Sequence, residues 1–159
     1  MKKLLLTSIF ALFVISNVNA QFFKQSDIDI YKKDVNKQAR NLVKEHLDLT
    51  PEQAKVFWPL YDEFRVEADK IIDAEVGIIE DYLMNYYDLS DKKATELVYK
   101  TIELRRNKLD LDEEYFKKMS KVLPAKIVGK FFQIESRISL MIKQQRTQNI
   151  PLVRDQDKK

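Results

Sequence analysis

The side chains that could do chemistry are few and scattered. A single histidine, His46, stands in a chain without cysteine, whereas zinc needs three or four His, Cys or carboxylate ligands at suitable spacing. His46 falls at the end of a helical pattern, where a cation complements the helix dipole, so its expected role is structural. Asp110, Asp112, Glu113 and Glu114 cluster but lack the loop glycine of a calcium-binding EF-hand; they fit the solvated side of a helix. Ser–His or Cys–His catalysis has one histidine to draw on and no glycine-containing elbow. Only two glycines occur, Gly77 and Gly129, and neither belongs to a phosphate-cradling loop. The carboxylates alternate with Lys and Arg at helical spacing, so no pair poised for acid–base work stands out. The expectation is a protein that is not an enzyme, with no catalytic residues, no metal and no cofactor.

The side chains favour contact instead. Phe57, Trp58, Tyr61 and Phe64 form one aromatic cluster, Tyr82, Tyr86 and Tyr87 a second, and Phe131 and Phe132 a third. Phe57, Phe64 and Phe131 suit a core. The tyrosines suit a core edge or a wet interface, because the ring is apolar and its hydroxyl polar. Most Lys and Arg fit the solvated faces of long helices. Where they border an exposed apolar stripe, charge speeds encounter with a partner and apolar groups give the short-range contact.

Four helical segments position these residues. The first spans about Asp27 to His46, with Tyr31, Val35, Ala39, Leu42, Val43 and His46 recurring at threes and fours. The second begins at Thr50-Pro51-Glu52-Gln53. Thr50 serves as N-cap, Pro51 at the first helical position loses nothing by lacking an N–H, and Gln53 completes a capping box. This helix continues to about Tyr87, with a kink expected where Pro59 removes a hydrogen bond and with Phe57, Phe64, Ile71 and Ile78 as its buried stripe. Asp88-Leu89 turns the chain and Ser90 caps a third helix from about Asp91 to Val122. That helix carries two stripes, Ile102, Leu109, Phe116 and Leu123 on one side and Leu97, Leu104 and Leu111 two residues out of phase. Two residues are about 200° apart, so one stripe can face the core while the other needs a further partner, flanked by Arg105, Arg106, Lys108 and Asp112. Leu123-Pro124 opens the fourth helix, which runs to about Arg146 with Ile127, Phe131, Ile134, Ile138 and Met141 as a coiled-coil-like seam. A weak repeat relates Leu49-Thr50…Phe57-Trp58-Pro59-Leu60 to Leu123-Pro124…Phe131-Phe132-Gln133-Ile134.

Three domain-level expectations follow. Residues 1–20 carry Lys2 and Lys3, the apolar run Leu4 to Ile15 and the small-residue ending Val18-Asn19-Ala20, the pattern of a secretory signal peptide cleaved after Ala20. Residues 21–146 form one helical domain of single-core size. The polar residues 147–159, which include Pro151, are expected to be disordered. Loss of Lys2 and Lys3 takes the formal charge from +3 to +1, leaving no basic excess to drive nucleic-acid binding. No membrane span is expected once the leader is removed.

The stretch Leu49-Thr50-Pro51-Glu52-Gln53 resembles the LTxxQ motif of the exported helical family that includes Spy, CpxP and ZraP. The resemblance extends to the leader, the size, the four helices and the approximate duplication. It implies a periplasmic protein, all-α, built from four helices in long antiparallel hairpins and assembled as a thin, cradle-shaped homodimer. For Spy-like members it implies an ATP-independent chaperone of the envelope stress response that holds unfolded envelope proteins. For CpxP-like members it implies a regulatory partner of a membrane-bound stress sensor, and for ZraP-like members metal sensing, for which the ligands are missing here. The second copy of the motif departs from the pattern, with Pro124 in place of Thr and Ile127 in place of Gln. On this basis Leu49, Thr50, Pro51 and Gln53 are structural, and the candidate client, partner or dimer surface comprises Leu97, Leu104, Arg105, Leu111, Tyr115, Tyr82 and Tyr86.

Overall fold

A computed structural model describes the backbone over residues 25–154 and the side chains over residues 33–154. The leader expected over residues 1–20 lies outside the described residues. Four helices follow in order, α1 (Gln25–His46), α2 (Pro51–Met84), α3 (Asp91–Ser120) and α4 (Ala125–Thr147), with no strand among the described residues. The chain is all-α, as the periodicities predict, and among the described residues no helix is long and apolar enough to cross a membrane.

Local chemistry sets the helix starts. Thr50 takes an extended conformation (φ −67°, ψ 161°). Its hydroxyl accepts the Gln53 N–H at 3.3 Å and its own N–H donates to the Gln53 side-chain oxygen at 3.0 Å, so two donors that the helix leaves unpaired are satisfied reciprocally. Ser90 accepts the Lys93 N–H at 3.2 Å and starts α3. At α4 the N-cap is Pro124, with no side-chain cap; only backbone bonds to its carbonyl, such as that from Ile127 at 2.9 Å, hold the first turn. α2 runs on through Pro59. Pro59 and Lys55, whose carbonyl the proline leaves without its helical partner, are both exposed, so water can satisfy it. α2 ends three residues before Tyr87, where Asn85 closes the turn by donating its side-chain amide to the Asp81 carbonyl at 2.7 Å.

The helices alternate in direction. α1 lies antiparallel to α2, with Arg40 paired to Asp62 and Asn36 hydrogen-bonded to Asp69 at 2.7 Å. α3 runs back along α2, from the Lys93–Asp81 pair at 2.7 Å to the Phe64–Tyr115 ring contact at 5.4 Å. α4 packs against both α1 and α3 and runs parallel to α2, from the Phe57–Phe131 contact at 5.3 Å to the Arg146–Glu75 pair at 2.7 Å. This is an up-down-up-down bundle whose four helices all contribute to one core. Phe57, Phe64, Phe131, Met119, Val43 and Val128 are fully buried in it, and each large side chain so buried contributes about 1.5–3 kcal/mol. α2 has 34 residues, about 51 Å, and α3 has 30, about 45 Å. α1 and α4 have 22 and 23, about 33–35 Å. The α2–α3 hairpin is thus the longer unit, and Ile72 and Leu97 are buried apart from the main core.

The burial phase differs from the heptad expectation in three places. On α2, Phe57 and Phe64 are inside, but Ile71 and Ile78 are only half-buried while Ala68 and Ile72 are buried. On α4 the inner positions are Val128, Phe131, Glu135, Ile138 and Ile142, so Met141 faces out and a carboxylate faces in. On α2 the cause is drift: a straight helix slips by about 20° per heptad relative to a strict seven-residue repeat, which passes the inward position from Ile71 to Ile72 two heptads after Phe57. On α4 the offset is the same from Val128 to Ile142, so that helix is turned about its axis by a constant amount. On α3 the stripe expected to meet a partner is the inner one: Leu97 and Leu111 are only 6% and 8% exposed. The stripe runs on into buried Tyr115 and Met119, because these residues meet Phe64 and the rest of the core. The segment expected to be disordered begins with Thr147, the last residue of α4, and carries no regular structure over residues 150–154. Pro151 and Arg154 make defined contacts with tyrosines at the end of α2; residues 155–159 lie outside the described residues.

Candidate binding face

With Leu97 buried and Leu111 and Tyr115 in the core, Ile102, Leu109 and Phe116 of the other α3 stripe are left on the surface, while its last member, Leu123, is buried in the core. Leu109 is 67% exposed, Phe116 44% and Ile102 38%. α4 supplies the adjoining half. Phe116 touches Phe132 edge-on at 5.9 Å between ring centroids. The antiparallel register then brings Leu109 level with Leu140, which is 65% exposed. A helix places residues three and four apart on one side, so Phe132, Ser136 and Leu140 continue the same strip along α4. Next to it Gly129, Phe132, Gln133, Ser136 and Arg137 line an open groove of about 550 Å³. Apart from its chain neighbours and its own helix backbone, nothing lies within 4 Å of the position a Cβ would take at Gly129. This glycine leaves the groove open rather than admitting a close neighbour.

The charges around the strip are unequal. Lys108 pairs with Asp112 at 2.5 Å, and Lys117 pairs with Glu113. These couples cancel within α3. Arg105, on the line between Ile102 and Leu109, is exposed, as are Arg106 and Arg137, and among the described residues none of the three has an ion-pair partner. The only acidic residue of α4 is Glu135, which is buried, so the outer surface of α4 carries cations alone. The arrangement is an apolar strip with a basic rim. Its chemistry suits apolar contact and attracts negative charge.

Of the other residues singled out in the sequence, Leu104 is half-buried at a cavity of about 330 Å³ between α2 and α3, lined also by Ala74, Gly77 and Ile78. Tyr82 and Tyr86 sit at the end of α2, in edge-on contact at 5.8 Å, away from the α3–α4 strip. Leu49 packs against the core, next to the capping box of Thr50, Pro51 and Gln53. His46 Nδ1 lies 3.0 Å from the Leu42 carbonyl at the end of α1.

Sequence reasoning missed the buried charges. Glu135 is 2% exposed and Arg65 is 7% exposed. Arg65 Nη1 meets Glu135 Oε1 at 3.3 Å, Arg65 Nε donates to the Asn36 side-chain oxygen at 2.9 Å, and Asn36 donates to Asp69. Ser139 lies 3.4 Å from Glu135 Oε1. One network thereby ties α1, α2 and α4 together. Burial pushes the Glu135 carboxyl above its ordinary value, against the opposing pull of Arg65 and then Lys108. Burial likewise pushes the Tyr61 phenol up to about 12. The usable signal was the phase: counted at 3.6 residues per turn from Val128 and Phe131, position 135 falls inside. No family model matches the chain, and no curated protein or solved structure is significantly similar to it.

Proposed function

We propose that this protein is an ATP-independent chaperone that holds unfolded polypeptide on the α3–α4 face. The observation that carries the reading is the exposure of Ile102, Leu109 and Phe116 on α3 and Leu140 on α4, together with exposed Arg105, Arg106 and Arg137, which have no ion-pair partner among the described residues. A surface strip that is apolar, shallow and edged by flexible cations suits many extended chains and no single shape. The LTxxQ-like start of α2 and the leader-like residues 1–20 support an exported, periplasmic protein of the envelope stress response, working without cofactor or catalytic step. A homodimer belongs to the same reading, with a second copy flanking the strip.

The test is light scattering of an aggregating acidic client, with the chain from Gln21 and no nucleotide. Suppression is expected at near-stoichiometric ratios and should be lost in Leu109→Glu and Phe116→Glu, both exposed positions. Equal suppression by these variants would remove the strip from the account. Absence of suppression by the parent chain, with stoichiometric capture of one folded sensor domain, would instead establish the regulatory partner. Sedimentation of the same samples checks the dimer.

A further inference from the structure

Past Thr147 the chain leaves α4 and reaches the end of α2. Pro151 forbids the helical conformation at Ile150 and holds its own φ near −65°, so the segment leaves the helix and carries no regular structure. The Pro151 carbonyl accepts a hydrogen bond from the Tyr82 hydroxyl at 2.9 Å. The Arg154 guanidinium lies 5.3 Å from the Tyr87 ring centroid and 5.9 Å from that of Tyr86. The three tyrosines stack edge-on in sequence, Tyr82 on Tyr86 and Tyr86 on Tyr87. Between the two anchor points Leu152 is 89% exposed, and Val153 is exposed as well. The segment is therefore held by a main-chain carbonyl and a cation, not by its apolar side chains. Neither contact is tied to the identity of residues 152 and 153, and a single neutral hydrogen bond with an exposed cation–π contact is weak enough to exchange.

We propose that the tyrosine tip of the α2–α3 hairpin, formed by Tyr82, Tyr86 and Tyr87, is a binding site for an extended peptide of another protein that carries an arginine three residues after the main-chain carbonyl bound by Tyr82, and that Pro151–Arg154 is its resident, displaceable occupant. Tyr82 reads the main-chain carbonyl, and the Tyr86–Tyr87 pair reads the guanidinium. The tail, tethered by the Arg146–Glu75 pair, competes at the effective concentration of a short linker, on the order of millimolar. The site thus stays closed to weak ligands and opens to a peptide that outcompetes the tail. It is separate from the α3–α4 strip and does not rest on the chaperone reading.

The probe is a fluorescein-labelled peptide of residues 147–154, titrated by anisotropy against the full chain. Arg154→Ala in the full chain loosens the resident segment, so this variant should bind the peptide about threefold tighter than the parent does. Adding Tyr82→Phe should weaken that binding about fivefold, as expected for one lost hydrogen bond, and adding Tyr87→Leu should remove most of the remainder. Equal binding by the parent and Arg154→Ala, or binding indifferent to both tyrosine substitutions, would overturn the proposal. A check that needs no variant is the amide spectrum of the isotope-labelled parent chain. Excess unlabelled peptide should shift the resonances of residues 82–87 and of residues 150–154 together, and tip resonances that stay still at millimolar peptide would overturn it too.

Discussion

Glu135 carries the sharpest consequence at the scale of single residues. Its Oε1 is engaged by Arg65 and Ser139, while its Oε2 is buried with no hydrogen-bond partner. Burying a carboxylate with one unsatisfied oxygen penalises its charged form, which is why burial raises it despite the adjacent guanidinium. In the unfolded chain the group titrates at its ordinary value, so the native state binds the proton more tightly. Stability contributed at this site is therefore lowest above the raised native value, grows as pH falls through it, and levels off below the ordinary value. Urea melts at a series of pH values should show the parent gaining on Glu135→Gln as the solution is acidified from neutrality; a parent that loses ground would mean that Arg65 outweighs burial. Arg65→Met makes the complementary case. It strands Glu135 in the core without its cation, and breaking one partner of a buried pair costs about 3–5 kcal/mol, to be read from the same melts at pH 7. Gly129 points the other way. Apart from its chain neighbours and its own helix backbone, a methyl group there meets nothing within 4 Å, and Ala is preferred over Gly inside a helix by about 1 kcal/mol, so Gly129→Ala should raise the melting midpoint.

At the scale of the elements, the helix starts were legible because each is a transaction between neighbouring residues. Thr50 and Gln53 need only each other and one turn of backbone, so the capping box could be read without knowing what α2 packs on. Thr50→Ala should cost about 1 kcal/mol in a chemical melt, and an unchanged midpoint would deny the cap its role. The face each helix buries was much less legible. The two stripes of α3 have the same spacing and similar hydrophobicity, and only the fit of Leu111, Tyr115 and Met119 against α2 and α4 decides between them. The contrast between neighbours tests that decision. Leu111→Ala should cost about 2–5 kcal/mol as a core truncation, whereas Leu109→Ala, on the open side, should stay within about 0.5 kcal/mol. Equal losses would return the two stripes to parity. Arg65 and Glu135 were beyond local reasoning altogether, since they are 70 residues apart in sequence and a charge is tolerated inside only once its distant partner is known.

For the molecule as a whole, the burial of Glu135 has an effect outside the core. It removes the one acidic residue of α4 from the surface and leaves Arg137 and Lys143 exposed there beside Arg105 and Arg106 of α3, although the formal charge of the entire chain is only +3. A nearly neutral protein can therefore present a locally positive face, and that locality sets how far its attraction reaches. Screening acts over about 10 Å at 0.1 M salt and about 30 Å at 0.01 M. On the proposed reading the arginines would act on an approaching client before contact at low salt, and only once it is close to the strip at physiological salt. Apolar contact, by contrast, is little affected by moderate salt. Raising salt from about 0.01 M to about 0.3 M should slow capture of an acidic client in stopped-flow scattering, while leaving its release from the Leu109–Phe116 strip nearly unchanged. Arg105→Gln combined with Arg137→Gln should reproduce the high-salt rate at low salt. If the double variant keeps the parent's salt dependence, the rim does not steer, and the apolar strip alone would have to account for whatever binding remains.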